Sequence, residues 1–449
     1  MQAGSPAHNG LRSAWKLVRE CPAPDVSLTT HPRTSPSHHS TAWMRKINTR
    51  SFVLATRGTP REVNRQILLN LVREHEPICR ADLARRMDIA RGMVTSLVSE
   101  LVLEGMLYEG ATVDSPRGRR PQMLFVRTHG RLAISVDVRF SRTYVMLGDF
   151  SGTAIATESF DTIEDPKAFV AVLQKRVARL LATHSDAGVC EGLGLVVPGM
   201  VDSISGRILN APHLGWRNVD VRDALAEAIG MPVFVENAPI ACALAQMWLG
   251  QRGAVELNDF VYVSVADGVG TGVVANGQVM RGKRNSAGEF GHVPLSADGP
   301  RCHCGGRGCL EAYASDLATV VRYLGEDFSP ETARSIVQAS GLTMSDVVAR
   351  SLTGDKKGIR AIEETARHLG AGLDVIIKTF SPAQICIGGE IIGAWDRVEP
   401  ILIRIIRDRA LTDNSAVTPV YREKDASQAR LRGATALVAA PRFAAPSIA

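Results

Sequence analysis

No apolar run in this chain is long enough to cross a bilayer. The first residues also lack the order of a secretion signal, in which basic residues precede a continuous apolar core and a cleavage site. Both absences make a cytoplasmic protein the expectation. A disulfide framework is missing as well. Of the eight cysteines, Cys21, Cys79, Cys190, Cys242 and Cys386 are scattered, mostly among apolar neighbours, as reduced and inert thiols are. Nor is there a strong net charge: 52 Lys+Arg against 46 Asp+Glu leave +6. The balance is nevertheless uneven along the chain. Residues 1–131 hold 20 basic and 11 acidic side chains, +9, and the remainder hold 32 and 35, −3. A basic front on a slightly acidic body points to a polyanionic partner for the front alone. The 449 residues are 45% hydrophobic and 22% charged, ordinary for a globular protein and enough for two or three domains.

Residues 1–59 are expected to be a disordered extension. The first 45, with HPRTSPSHHS among them, are rich in Pro, Ser, Thr and His and show no sustained period. Met44 opens a more ordinary stretch and is an alternative start. Residues 60–131 read as three helices and a hairpin. In PREVNRQILLNLVREH, the side chains of Val63, Ile67, Leu68, Leu71 and Val72 share one helical face, and Pro60 suits the first turn. RADLARRM predicts a short helix. MVTSLVSELVLEG predicts a third, with Val94, Leu97, Val98 and Leu101 on one side and Gly105 as its stop. MLYEG and PQMLFVR read as short strands joined by the basic loop ATVDSPRGRR.

From Leu132 on, strands and helices alternate. LAISVDVRF and TYVMLGDFSG predict a hairpin, residues 166–184 a helix, GLGLVVPG a buried strand, MPVFVEN another strand, and PIACALAQMWLG the helix after it. FVYVSVADGVGTGVVANGQ predicts a second hairpin, and helices dominate after 310, broken by the strand AQICIGG. This order fits an α/β domain of two lobes, 132–249 and 250–435, with the last helix free to return to the first lobe and a flexible tail over 436–449.

Helix, helix, short turn, helix and a β-wing is the order of a winged helix-turn-helix. The apolar stripe of the third helix turns inward and leaves Arg91, Thr95, Ser96 and Ser99 outward, able to reach base edges or phosphates. Arg119 and Arg120 stand at the wing tip, where arginines touch phosphates or enter a minor groove. A protein-interaction module with a solvated basic face is the alternative.

A second constellation lies in GHVPLSADGPRCHCGGRGCLE. His292, Cys302, Cys304 and Cys309 are the donors of a closed tetrahedral zinc site, and the glycines at 305, 306 and 308 let the backbone return the third sulfur. His303, between two of these cysteines, is expected to point away. Reduced loop thiols or a disulfide are the alternatives. Four protein ligands leave no open position, so the zinc is expected to be structural and to fix the neighbouring Glu289 and Glu311.

Together these segments resemble the ROK family of repressors, open reading frames and sugar kinases, over about residues 60–435. GEFGH at 288–292 and CHCGGRGCLE at 302–311 look like that family's E-x-G-H and C-x-C-G-x-x-G-C-x-E signatures. VVPGMVD at 196–202, the asparagine of FVENAP at 234–239, DGVGTGVVANG at 267–277 and IGGE at 387–390 are similar too. The helix-turn-helix and the GRRP of 118–121 resemble the repressor branch, which includes proteins that answer to N-acetylglucosamine or xylose. The resemblance implies an actin-like, ribonuclease-H-like ATPase fold with a sugar site between the lobes. It places the sugar contacts on Asn237, Glu289, His292 and Glu311. Carboxylates and amides suit the paired hydroxyls of a sugar, and a histidine bound to zinc through one ring nitrogen and to the sugar through the other would couple site to metal.

The family's kinases carry an aspartate after that asparagine, as general base for the sugar hydroxyl. Here Ala238 follows Asn237, and alanine takes no proton. Their first phosphate motif, D-x-G-x-T, reads Asp137-Val138-Arg139-Phe140-Ser141, in which Arg139 and Phe140 obstruct a nucleotide; the glycine-rich hairpin around Gly268 to Gly272 remains. The expectation is therefore a regulator and not an enzyme: a repressor of carbohydrate uptake or catabolism genes that binds a palindromic DNA operator as a homodimer or homotetramer and responds to a sugar or sugar phosphate. An active kinase with a DNA-binding appendage and a regulator controlled by a protein partner are the other readings.

Overall fold

Three helices open the described chain. In α1 (Arg61–His75), α2 (Arg80–Met87) and α3 (Arg91–Leu103), the apolar stripes face one another, burying Ile67, Leu68, Leu71, Leu83, Met87, Val94, Leu97, Val98 and Leu101. α3 begins at Arg91, two residues before its apolar period, because the carbonyl of Ala90 already accepts from the amides of Met93 and Val94. It ends where Gly105 turns to φ +68° and the amide of Met106 donates back to Leu101 (2.8 Å). Between α1 and α2 lies β1 (Ile78–Cys79), too short to show any period. It pairs with β3 (Gln122–Val126), which pairs in turn with β2 (Leu107–Thr112), all antiparallel.

The computed structural model describes residues 61–112, 121–249, 258–283, 285–425 and 428–444, all within one compact unit. The extension expected over 1–59 and the two arginines expected at a wing tip, Arg119 and Arg120, lie outside the described residues.

The body that follows contains two sheets of the same design. The first lobe runs β4 (Arg131–Val138), β5 (Arg142–Asp149), β6 (Ala154–Asp161), α4 (Pro166–Thr183), β7 (Val189–Val197), β8 (Met200–Asp202), β9 (Arg207–Ala211), β10 (Trp216–Val219), α5 (Val221–Ile229), β11 (Val233–Asn237) and α6 (Ala238–Leu249). The second runs β12 (Phe260–Val265), β13 (Val269–Ala275), β14 (Gln278–Val279), α7 (Leu310–Ala314), α8 (Asp316–Leu324), α9 (Ala333–Ser340), α10 (Met344–Leu352), α11 (Lys356–Phe380), β15 (Gln384–Gly389), α12 (Trp395–Arg409), α13 (Asp413–Ala416) and β16 (Val420–Arg422), after which the chain returns to the first lobe as α14 (Ala429–Ala439). The sheet orders are β11-β7-β4-β5-β6 and β14-β13-β12-β15-β16. In each, two antiparallel pairings build a three-stranded meander, and two further strands join parallel. β8, β9 and β10 form a separate small antiparallel sheet.

Burial on both faces explains the near-continuous apolar run of β4. One face packs on α4 through Phe169, Leu173 and Val177. The other meets α14, where Ser135 and Thr435 share a buried hydroxyl pair at 2.8 Å. β12 alternates instead: Val261, Val263 and Val265 face the core under α11 and α12, and Phe260 and Tyr262 face the core that holds α6. α6 is apolar nearly all round because it is wedged between that sheet and α14. At the crossing of α6 and α14, a Cβ on Gly433 would come within 2.7 Å of the Ala241 backbone, so only glycine allows this approach.

The chain stays packed beyond residue 436, where a tail was expected. α14 runs to Ala439, and Phe443 is 4% exposed. The carbonyls that follow α14 receive α1: the Gln66 amide donates to Arg442 (2.7 Å) and Ala444 (2.9 Å), and the Asn70 amide donates to Phe443 (2.8 Å). The Arg73 guanidinium lies over the rings of Trp248 (4.6 Å) and Phe443 (5.3 Å). The helical front is thus seated on the body rather than hung from a linker.

Candidate functional site

The segment from Gly288 to Glu311 folds back on itself. Leu295 N–H donates to Gly308 (2.7 Å), Leu310 N–H to Val293 (3.0 Å) and Gly308 N–H to Pro300 (2.8 Å). These ties bring His292, Cys302, Cys304 and Cys309 together, with their donor atoms within 4.8 Å of one another. Cys302 Sγ lies 3.6 Å from His292 Nδ1, and Cys304 Sγ lies 3.7 Å from Cys309 Sγ. A tetrahedral site with metal–sulfur bonds of about 2.3 Å has edges of about 3.8 Å, so three thiols and one imidazole at this spacing suit a single four-coordinate ion. Sulfurs 3.7 Å apart share no disulfide bond. His303 turns away and meets Phe328 edge-on. Burial drives the Cys302 and Cys309 thiols above their ordinary values, a penalty that a cation among them would reverse.

The cluster adjoins two carboxylates. Glu311, in the first turn of α7, lies 3.6 Å from Cys302 Sγ through Oε1 and accepts from the Val269 amide (3.1 Å) through Oε2. Gly268 makes room for it, since any Cβ there would run into Oε2. Glu289 opens to solvent but stands against protein that desolvates it. That raises its carboxyl above the usual range, with His292 opposing the shift and Glu311 adding to it. Glu289, His292 and Glu311 therefore form one electrostatic neighbourhood. Asn237 stands on the first lobe, at the end of β11. Its side-chain oxygen accepts from the Ile240 amide (3.1 Å) and caps α6.

Contacts also join the two lobes. Arg281 pairs with Glu236 (2.6 Å), a carboxylate with 1% exposure. The Asn285 amide donates to Asp202 (3.0 Å), in the VVPGMVD segment. Pro239, in the first turn of α6, abuts Gly270 and Gly272 of β13. Sequence reasoning missed Arg281 and Asn285, whose partners are 45 and 83 positions away.

The altered kinase positions have definite surroundings. Ala238 is the first residue of α6 and is buried. Asp137 is fully buried; Arg139 Nε meets one carboxylate oxygen at 2.7 Å and Arg430 Nε the other at 2.7 Å, the second contact without the alignment of a hydrogen bond. Arg430 also donates to the Val138 carbonyl (3.1 Å). Burial works against the Arg139 charge, but Asp137 outweighs it and holds the guanidinium above its ordinary value. Phe140 receives the guanidinium of Arg334 over its ring at 3.9 Å.

On the helical front, Arg91, Thr95, Ser96 and Ser99 are all exposed on α3. Thr95 and Ser99 donate their hydroxyls back to the carbonyls of Arg91 and Thr95, both at 2.9 Å. Arg61 of α1 reaches the same face, donating to Ser96 Oγ (2.6 Å) and pairing with Glu100. The arginine pair Arg85 and Arg86 is exposed on α2, beside His75. No helix of the described residues is long and apolar enough to cross a membrane.

Two lobes built on sheets of one repeated order, with polar groups gathered where they meet, make the body an actin-like kinase fold. The chain belongs to the ROK family, whose model matches residues 133–440. It is 29% identical over 336 residues to a protein named xylose repressor from Caldicellulosiruptor bescii, covering 74% of this chain and 84% of the relative. The crystal structure of a ROK family transcriptional regulator, a homolog of the E. coli MLC protein, matches with a TM-score of 0.71 and 26% identity over 85% of this chain and 97% of that one. A ROK family glucokinase from Streptomyces griseus, solved with glucose and AMPPNP, matches with a TM-score of 0.57 and 25% identity over 68% of this chain and 98% of the other.

Proposed function

We propose that this chain is a sugar-responsive DNA-binding transcription regulator, a repressor of carbohydrate uptake or catabolism genes, whose kinase-like body senses a sugar without phosphorylating it. The observation that carries the reading is a division within one body. Glu289, His292 and Glu311 are gathered around a four-donor cluster, while Ala238 supplies no base and Asp137 is held by two arginines. The cluster is a structural zinc site. His292 turns Nδ1 toward the sulfurs, which leaves Nε2 for a sugar hydroxyl, and Asn237 meets the sugar from the opposite lobe. The front is a winged helix-turn-helix. Arg91, Thr95, Ser96 and Ser99 of α3 face the major groove, and Arg119 and Arg120 act from the wing. A homodimer presents two such fronts to a palindromic operator, and sugar-dependent closure of the lobes alters their spacing.

The test is a gel-shift titration of the purified chain on DNA from its own upstream region, with and without D-xylose, N-acetylglucosamine, D-glucose and their phosphates. Sequence-specific binding that one of these weakens at least tenfold is the expected result. No specific binding in any condition sinks the reading. ATP turnover with a hexose, lost in Asn237→Ala, would replace it with an active kinase.

A further inference from the structure

The sugar-facing groups and the DNA-facing helix stand at opposite ends of a continuous set of contacts, and α6 spans the middle of it. At the cleft end, the carbonyl of Gly288, next to Glu289, accepts from the Thr271 hydroxyl on β13. Gly270 and Gly272 flank that threonine, and both lie against Pro239 in the first turn of α6. A Cβ on Gly270 would fall 2.6 Å from the Pro239 ring, and one on Gly272 would fall 2.5 Å from its carbonyl oxygen. Asn237 caps the same turn. The 12 residues of α6 rise about 18 Å to its far end. There Trp248, 6% exposed, lies under the Arg73 guanidinium of α1 at 4.6 Å. α1 in turn holds α3 through Arg61, which reaches Ser96 and Glu100, and through Arg65, which pairs with Glu104.

Two features make α6 a rod rather than a bystander. It is buried on nearly every face, so a displacement at one end cannot dissipate into solvent. Its far end is also one of two supports for α1, and Arg73 meets both, Trp248 on this one and Phe443 on the other. The other is the segment after α14, which accepts the amides of Gln66 and Asn70. If α6 shifts relative to that segment, the two supports move apart and α1 must tilt between them.

We infer that α6 is the mechanical link between the cleft and the DNA-binding front, with Arg73 and Trp248 as the positioning residues that convert its displacement into a tilt of α1 and α3. This rests on the regulator reading above. Neither residue touches sugar or DNA; both set the coupling between the two sites.

Arg73→Met and Trp248→Leu keep apolar bulk; the first removes the cation, and the second removes the α6 ring beneath it while leaving Arg73 over Phe443. In the full chain, three quantities are measured: operator-fragment affinity alone, affinity for whichever of D-xylose, N-acetylglucosamine and D-glucose acts on the wild type, and the factor by which that sugar weakens DNA binding. Each variant is expected to keep both separate affinities within about threefold while the coupling factor falls from tenfold or more to below about twofold. A merely structural role lowers stability and leaves the factor unchanged, and an unchanged factor in both variants overturns the proposal. If no sugar acts on the wild type, the regulator reading fails, and the link is judged without ligand by hydrogen exchange. Asn237→Ala is then expected to speed exchange across residues 61–75 at least threefold in the wild-type background and not in Trp248→Leu. An equal effect in both backgrounds rejects the link.

Discussion

Replacing Asp137 by asparagine separates a structural carboxylate from a ligand-binding one. The side chain has no solvent exposure, and each oxygen meets a guanidinium nitrogen at 2.7 Å. Asparagine keeps the shape and removes the charge. Two arginines then face one another on the order of 6 Å apart, a repulsion of about 3 kcal/mol at an effective dielectric near 20. Arg139, with a side chain 37% exposed, relieves part of this by turning outward, but Arg430, at 18%, is held by the Val138 carbonyl and has little water to turn to. The expected net loss is about 3 kcal/mol, at the lower end of what breaking a buried ion pair costs. A lobe of this size loses about 2–4 °C of Tm per kcal/mol, so a calorimetric scan should show the first transition fall by roughly 6–12 °C. Arg139→Gln leaves the Arg430 pair in place and is expected to cost under about 1 kcal/mol. In the same preparations, folded Asp137→Asn should still bind DNA and respond to sugar. An unchanged melting curve would refute the reasoning, and a sugar response lost at an unchanged melting curve would make Asp137 a binding group.

Cys304→Ser is expected to lower bound zinc from one per chain to well below one in protein purified without chelator, with a drop in Tm; a wild type free of metal by mass spectrometry ends the zinc assignment. Glu311→Ala removes the carboxylate outright, so sugar affinity by calorimetry should weaken about tenfold or more, and an unaltered affinity removes Glu311 from the sugar site. Burial pushes the Cys242 thiol up to about 12, so at pH 8 its thiolate fraction is on the order of 1 in 10,000. A thiol reagent should therefore modify exposed Cys304 in chelator-treated protein and leave Cys242 intact until unfolding; early loss of Cys242 contradicts its burial.

The elements that a single period governs were legible. The apolar stripes of α1 and α3, the eight residues of α2 and the hairpins β4–β5 and β12–β13 all follow from spacing within one segment. β1 was not, because two residues carry no period, and neither were β8, β9 and β10, whose three to five residues pair only with each other. The same limit applies to the site. His292, Cys302, Cys304, Cys309 and Glu311 lie within twenty residues, so their chemistry shows in the string. The ion pairs Asp137–Arg430 and Glu236–Arg281 join residues from different elements, and an arginine carries no mark of the carboxylate it will meet. Asn237 shows both sides. Its place after a buried strand was visible; that its oxygen would be spent on capping α6 required the first turn of that helix.

The seat of α1 on the last residues of the chain also orders events in time. Gln66 reaches carbonyls 376 and 378 positions downstream, and Asn70 one 373 positions downstream. At about 5–20 residues per second, a ribosome needs roughly 20–75 s to make that stretch after α1 has emerged. Throughout that interval α1 lacks one of its two supports. A message cut short before residue 442 would therefore release a chain whose α1 keeps the Arg73–Trp248 contact but has lost the carbonyls that hold Gln66 and Asn70.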